Sequence, residues 1–454
     1  MALKRVLTLR TVVATSAGIA LASSSFVAAV QVAGFLAGDT AWIAILTGGL
    51  LCLLAAACFS ELNARLPSAA GIRLYFARAY NDRVSLTVSL LYMVVVMGVV
   101  GAESYVLAAV LSAAVPAVHP LVWIVLMLVT VTALNIRGVK VAGIFQDVLT
   151  YGLLASLVVL AFLALGRVHF HLTAPFSPGS AGSVISAVAV GIFLFVGFEW
   201  VTPLAEEVTD SRLVSRGMLL AVGLLSVVYA LLTVAMTATV PREALTGAVA
   251  PQVVFARTVL GPVGLIWMVV LSLAASMKTF NAGLVSVSRF LYAMAREYAL
   301  PPAFSRLNMR FFTPWVAIVA VFVVGLSFSV LVLLTGHYLV LINLAAVMES
   351  VVYALAGLAV IRLRRKFPEE HCPYRVAGGA VVPVTTAVIF AVLALAVVFT
   401  DPPAGLYLLA GFLLCLYYVN QVVPVLKSRY QPRRPARRRR PVVDQADPAG
   451  CEKT

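Results

Sequence analysis

Charge is scarce in this chain. Asp, Glu, Lys and Arg supply 11% of its 454 residues, under half the share usual in soluble globular proteins. Cysteine and histidine are scarcer still, at five each. Cys52, Cys58 and Cys415 fall in apolar runs and Cys372 and Cys451 in polar connections, a distribution that excludes a disulfide framework. His169 and His171 stand two apart without other ligand types beside them, so no metal site is expected. A Gly-x-x-x-x-Gly-Lys-Ser/Thr loop to cradle phosphates is absent, which excludes a nucleotide-driven machine of that kind. The interior of the apolar runs holds no histidine to partner a nucleophile, so no catalytic residue, no cofactor and no enzyme activity are expected.

Apolar residues are abundant instead, at 62% of the chain with a mean hydropathy of +1.03. Runs of about twenty such residues continue from residue 11 to residue 426. Backbone groups in lipid must be satisfied within a helix or a closed barrel, and runs of about twenty rather than ten select helices. The chain therefore reads as an all-α polytopic membrane protein with twelve transmembrane helices, near 11–36, 40–62, 84–112, 118–136, 141–165, 183–205, 217–240, 260–291, 313–334, 338–361, 380–399 and 404–426. No soluble domain fits between them. Residues 1–426 form the membrane domain and 427–454 a basic tail.

In a soluble protein the net charge of +15 would suggest nucleic acid; here its placement follows topology. With the N-terminus inside, 29 of the 33 Lys and Arg fall on cytoplasmic ends, loops or the tail. Arg167, Arg242 and Arg257 lie outside, and Lys278 lies within a span. The asymmetry predicts a multi-pass protein of the cell membrane with both termini cytoplasmic and no nucleic-acid partner. The run Arg437, Arg438, Arg439 and Arg440 is read first as a solvated tail that only holds topology, with anionic lipid headgroups as the alternative partner. Lys4, Arg5 and Arg10 before an apolar run resemble a signal peptide, but the run continues to Leu36 and is read as the first span.

Four stretches, in order along the chain, carry a resemblance. The first is Ala22-Ser23-Ser24-Ser25-Phe26 in the first span. The second runs from Pro67 through Gly71 and Tyr75 to Arg78. The third is Phe195-Val196-Gly197-Phe198-Glu199 followed by Glu206-Glu207-Val208. The fourth runs from Asn281 through Ser288-Arg289, Tyr292-Ala293-Met294-Ala295-Arg296 and Leu300-Pro301 to Thr313-Pro314. Together they resemble the amino acid-polyamine-organocation superfamily of transporters. The resemblance implies two five-helix inverted repeats (11–165 and 183–361) plus two further helices (380–426). Spans one and six would be broken at mid-membrane, with substrate bound at the breaks. Broken helices expose unpaired N–H and C=O groups able to hold an ammonium or a carboxylate. Given the resemblance, Ser23, Ser24, Ser25 and Gly197 suit such breaks; by themselves, small residues in a span more often mark close helix packing.

Departures from the family pattern bear on substrate. Ala22 and Ser24 replace both glycines of the family's Gly-Ser-Gly-Ile-Phe, adding side chains where a carboxylate would approach bare backbone. Leu153 stands where many relatives carry a lysine, while Lys278 appears inside the eighth span. Charge inside a span is costly and usually faces the bundle interior, which singles out Glu103, Glu199, Lys278 and Glu349. Tyr92, Val96, Val100 and Glu103, spaced four, four and three apart, form one helical stripe that lines the pocket in relatives. Phe193 matches an aromatic that covers substrate there, and Glu199 matches an often acidic position beside Phe198. Glu349 is read as a packing partner. Glu61, Asp147, Glu206 and Glu207 are read as structural or gate partners nearer the cytoplasmic ends. Lys278 is a coupling candidate together with Glu199. It can stand in for a bound cation, snorkel toward the cytoplasm or pair with Glu349.

The expected function is secondary transport of small amines or amino acids, by exchange or proton-coupled symport, with a cationic substrate favoured. The alternatives are a neutral amino acid carrier, or a ligand sensor or channel. Expected partners are that small-molecule substrate and membrane lipid, with a second copy of the chain as a candidate.

Overall fold

The computed structural model describes residues 5–22, 25, 29, 40–167, 187–188, 191–241, 244–245, 251–368 and 372–430. Helices dominate. In chain order they are α1 (Leu9–Ala20), α2 (Ala41–Arg65), α3 (Ile72–Ala79), α4 (Asp82–Ala114), α5 (Pro120–Ile136) and α6 (Val139–Leu165). A 3-10 helix covers Phe198–Glu206, followed by α7 (Arg212–Thr239), α8 (Pro251–Leu260) and α9 (Pro262–Arg296). The last four are α10 (Trp315–Thr335), α11 (Tyr338–Lys366), α12 (Val381–Thr400) and α13 (Pro402–Tyr430). Among the described residues the only extended pairing is an isolated parallel bridge between Leu7 and Val208.

Nine of these helices are long and apolar enough to cross a membrane. The other three expected spans correspond to the 12-residue α1, the 17-residue α5 and the 9-residue 3-10 helix, each short for a span of about twenty residues. Residues 23–24, 26–28, 30–36, 183–186 and 189–190, which would complete the first and sixth spans, lie outside the described residues. So do His169, His171, Arg242, Cys451 and the Arg437–Arg440 run.

Local chemistry accounts for several ends. The Asn81 side chain accepts from Val84 N at 2.9 Å to cap α4. Pro120 and Pro262 open α5 and α9, where a missing N–H costs nothing. Gly336, at φ +71°, closes α10 in a left-handed conformation that a side chain would strain.

Close packing explains some of the small residues. At Gly49 a Cβ would lie 2.1 Å from Ser226 Oγ, so this glycine lets α2 settle directly on α7. At 35 residues α9 is about 52 Å long, more than a hydrocarbon core of about 30 Å requires. Its last turns project into a belt of ion pairs at one end of the bundle.

Three of the four sequence stretches meet in that belt. Arg289 of α9 pairs with Glu207 at 2.9 Å, both almost wholly buried. Arg296 pairs with Glu206 at 3.1 Å, and the other Glu206 oxygen accepts from Ala69 N at 3.1 Å. Arg73 reaches Glu297 at 3.1 Å and also pairs with Asp82. Glu61 accepts from Arg364 at 2.5 Å, Arg65 at 3.3 Å and Val376 N at 2.8 Å. Asp147 pairs with Arg10 at 3.3 Å. The N-terminal strap joins the same end, with Val6 N and Leu7 N both donating to Glu207 O.

Candidate functional site

Helix α1 stops in the middle of the bundle. Leu21 leaves helical geometry at φ −87°, ψ 66°, so the last carbonyls of α1 need partners from elsewhere. Ser25 Oγ donates to Ala20 O at 2.7 Å, and Tyr229 OH donates to the same oxygen at 3.0 Å. Thr279 Oγ1 donates to Gly18 O at 2.9 Å. Lys278 Nζ donates to Gly18 O at 3.0 Å and also to Leu21 O. A helix C-terminus concentrates partial negative charge, so the buried ammonium is held by backbone dipoles. Of the three placements open to Lys278, the structure has it on the carbonyls of α1, neither snorkelling nor bonded to Glu349.

A second interruption lies opposite. Gly197 adopts φ +101°, and the chain then runs as the 3-10 helix. A Cβ at Gly197 would sit 2.2 Å from Ile19 Cγ2, so glycine is required both by its backbone angle and by the approach of α1. Ser16 Oγ ties the two segments by donating to Phe198 O at 2.8 Å.

Between the two interruptions lies a cavity of about 70 Å³. The end of α1 contributes Ile19 and Ala22 to its wall, and Ser25 follows. Val96, Val100 and Glu103 of α4 form one side, with Phe193, Gly197 and Trp200 facing across. Thr279, Gly283 and Val287 of α9, Phe322 of α10 and Glu349 of α11 complete much of the lining. The walls are mainly apolar, so its two carboxyl groups dominate the electrostatics. Glu103 is fully buried and accepts from Ser276 Oγ at 2.9 Å. Glu103 also acts electrostatically on Lys278.

The structure divides the expected site residues. Ala22, Ser25, Val96, Val100, Glu103, Phe193 and Gly197 share the cavity. Tyr92, Phe198 and Glu199 lie behind its wall: Tyr92 is one turn further along the α4 stripe, and the 3-10 geometry turns Phe198 and Glu199 away from the opening. Phe198 packs on Tyr353, with ring centroids 5.2 Å apart. Glu199 accepts from Tyr353 OH at 2.6 Å and from Tyr92 OH. Tyr92 OH also lies 2.6 Å from Glu349 Oε2. Ser23 and Ser24 lie outside the described residues.

Sequence reading missed the wall contributed by α9. Thr279, Gly283 and Val287 recur every four residues beside Lys278, a spacing that places them on one helical face. It also missed Trp200 and gave Glu349 only a packing role, although Glu349 reaches the cavity.

Comparison with known proteins agrees with this architecture. Residues 7–419 match the amino acid permease family. The chain is 24% identical to the methylthioribose transporter of Bacillus subtilis (strain 168) over 82% of this chain and 83% of that one. It is 27% identical to the human Asc-type amino acid transporter 1 over 76% of this chain and 68% of that one. In structure it resembles Mhp1, a nucleobase-cation-symport-1 family transporter in a closed conformation with bromovinylhydantoin bound. That match has a TM-score of 0.56 at 16% identity and covers 92% of this chain and 98% of that chain. The likeness shows a shared fold. From the family match and the helices that make it a multi-pass membrane protein, the chain belongs to the amino acid permease family of the amino acid-polyamine-organocation superfamily, whose members are transporters and not enzymes.

Proposed function

We propose that the chain is an alternating-access carrier in the cell membrane, working by exchange or proton-coupled symport on a small amine-bearing solute, with a cationic substrate favoured. The observation that carries this reading is Glu103, a fully buried carboxyl group on the wall of a mainly apolar cavity. A ligand that brings an ammonium would set a cation against this carboxyl group where apolar walls exclude most other polar contacts. Ala22 on the same wall keeps a side chain where a carboxylate would need bare backbone. The inverted-repeat division, the cytoplasmic termini and the tail of residues 427–454 belong to the same proposal. So does sodium independence: Lys278 holds the Gly18 and Leu21 carbonyls with its own charge, a place suited to a cation. In this reading Lys278 and Glu199 are the coupling residues.

A second reading, a neutral amino acid carrier, rests on Trp200. This residue lines the cavity and its buried indole N–H has no partner among the described residues, so it offers a donor to a bound carboxylate. The names of the amino acid transporters among the relatives also support amino acids as first candidates. Thermal-shift measurements on purified protein with L-leucine, L-alanine, L-arginine, putrescine and agmatine separate the two. The first reading expects stabilisation by the cationic ligands and its loss in Glu103→Gln. Stabilisation by leucine or alanine alone, unchanged in Glu103→Gln, would establish the second.

A further inference from the structure

At the cavity floor, four side chains from three elements form a buried polar cluster: Tyr92 of α4, Glu199 of the 3-10 helix, and Glu349 and Tyr353 of α11. Each is at most 2% exposed. Tyr353 OH donates to Glu199 Oε2 at 2.6 Å. Tyr92 OH contacts a carboxyl oxygen on both sides, Glu199 Oε1 and Glu349 Oε2, the latter at 2.6 Å.

Proton counting decides what this arrangement holds. A phenol has one hydrogen and can donate to only one of two carboxylates. The Tyr353 hydrogen is committed to Glu199. The second Tyr92 contact therefore needs a hydrogen carried by a carboxyl group, because an ionised carboxylate only accepts. Among the described residues no basic side chain bonds to the cluster. Lys278 is engaged at the end of α1, and Cys52 of α2 is the other titratable side chain acting on it. Two carboxylates bridged by a single phenol repel one another, whereas a pair that holds one proton is the stable form.

We propose that Glu199 and Glu349 form a buried proton-binding site that holds one proton between them, and that the site must release it for the 3-10 helix to part from α11. Release breaks one carboxyl O–H bond, sends the proton to water and leaves two adjacent negative charges that repel. Glu199 follows the Gly197 break and Glu349 lies on the cavity floor, so their separation would move the wall of the cavity itself. The coupling to transport rests on the carrier reading above; the proton site does not.

The test has two arms. Infrared difference spectra of the purified protein at pH 7 are expected to show a protonated-carboxyl C=O band that shifts in deuterium oxide. The band should be lost in Glu199→Gln and in Glu349→Gln, perturbed in Tyr92→Phe and retained in Glu103→Gln. In proteoliposomes, an inward proton gradient should drive accumulation of tritiated L-alanine or putrescine, whichever shows counterflow, and Glu349→Gln should abolish the gradient dependence. Absence of the band from the wild type, or its survival in both Glu→Gln variants, overturns the proton site. Counterflow that ignores the gradient overturns the coupling. If neither probe is exchanged, the carrier reading fails for these substrates, and the infrared arm still decides the proton site.

Discussion

Lys278 Nζ donates to the Gly18 carbonyl at 3.0 Å, so a side chain of α9 neutralises the broken end of α1. The contact joins the two long-range elements most directly concerned with the cavity. It also fills, with its own amine group, a place where a free cation would otherwise be attracted by the helix terminus.

The first prediction follows. Transport is expected to be sodium-independent, and Lys278→Ala should lower uptake roughly tenfold or more, given that a hydrogen bond to a charged group contributes about 1.5–3 kcal/mol. Melting temperature should fall less than activity does. Initial rates with sodium or choline as the sole cation check this. A wild-type protein that needs sodium, or an alanine variant with unaltered kinetics, would remove the coupling role.

How much of this was readable beforehand can be traced residue by residue. Apolar run length identified the nine long helices, because lipid leaves the backbone few alternatives. Of the stripe Tyr92, Val96, Val100 and Glu103, picked out by the family resemblance and consistent with helical period, the last three line the cavity. The cluster of Tyr92, Glu199, Glu349 and Tyr353 was not, since its members are up to 261 positions apart in numbering and meet only through tertiary packing. The reach of Lys278 was half legible. Its charge flagged it, but no pattern in one sequence says which of several neighbours an ammonium will bond.

Gly197 supplies the second prediction. Gly197→Ala places a Cβ 2.2 Å from Ile19 Cγ2 in a backbone conformation that side chains rarely adopt. A loss of stability of about 2–4 kcal/mol is expected from overpacking plus the left-handed penalty. Chemical or thermal unfolding in detergent measures it, and an unchanged midpoint would mean that the bend is not rigid.

The belt of ion pairs gives the third. Arg289 and Glu207 are buried together, so Arg289→Ala strands a carboxylate and should cost about 3–5 kcal/mol. Replacing both partners with well-packed apolar residues should cost less than Arg289→Ala alone. Equal losses in the single and double variants would show that the pair contributes only packing.

Topology can be examined separately. In a cysteine-free background, single cysteines near His119, Arg167 and Asp401 should react with an impermeant maleimide added to intact cells. A cysteine beside Arg433 should react only after permeabilisation. Strong labelling of the tail in intact cells would invert the arrangement inferred from the basic residues.

The measurement closest to the central claim is radiotracer counterflow in sodium-free proteoliposomes, using the amine or amino acid that gives the largest thermal shift. A carrier whose cavity is closed by the α1 break and the 3-10 helix should accumulate label transiently, with internal unlabelled substrate accelerating its entry. Label that equilibrates passively with no acceleration from the inside would contradict the account and indicate a channel.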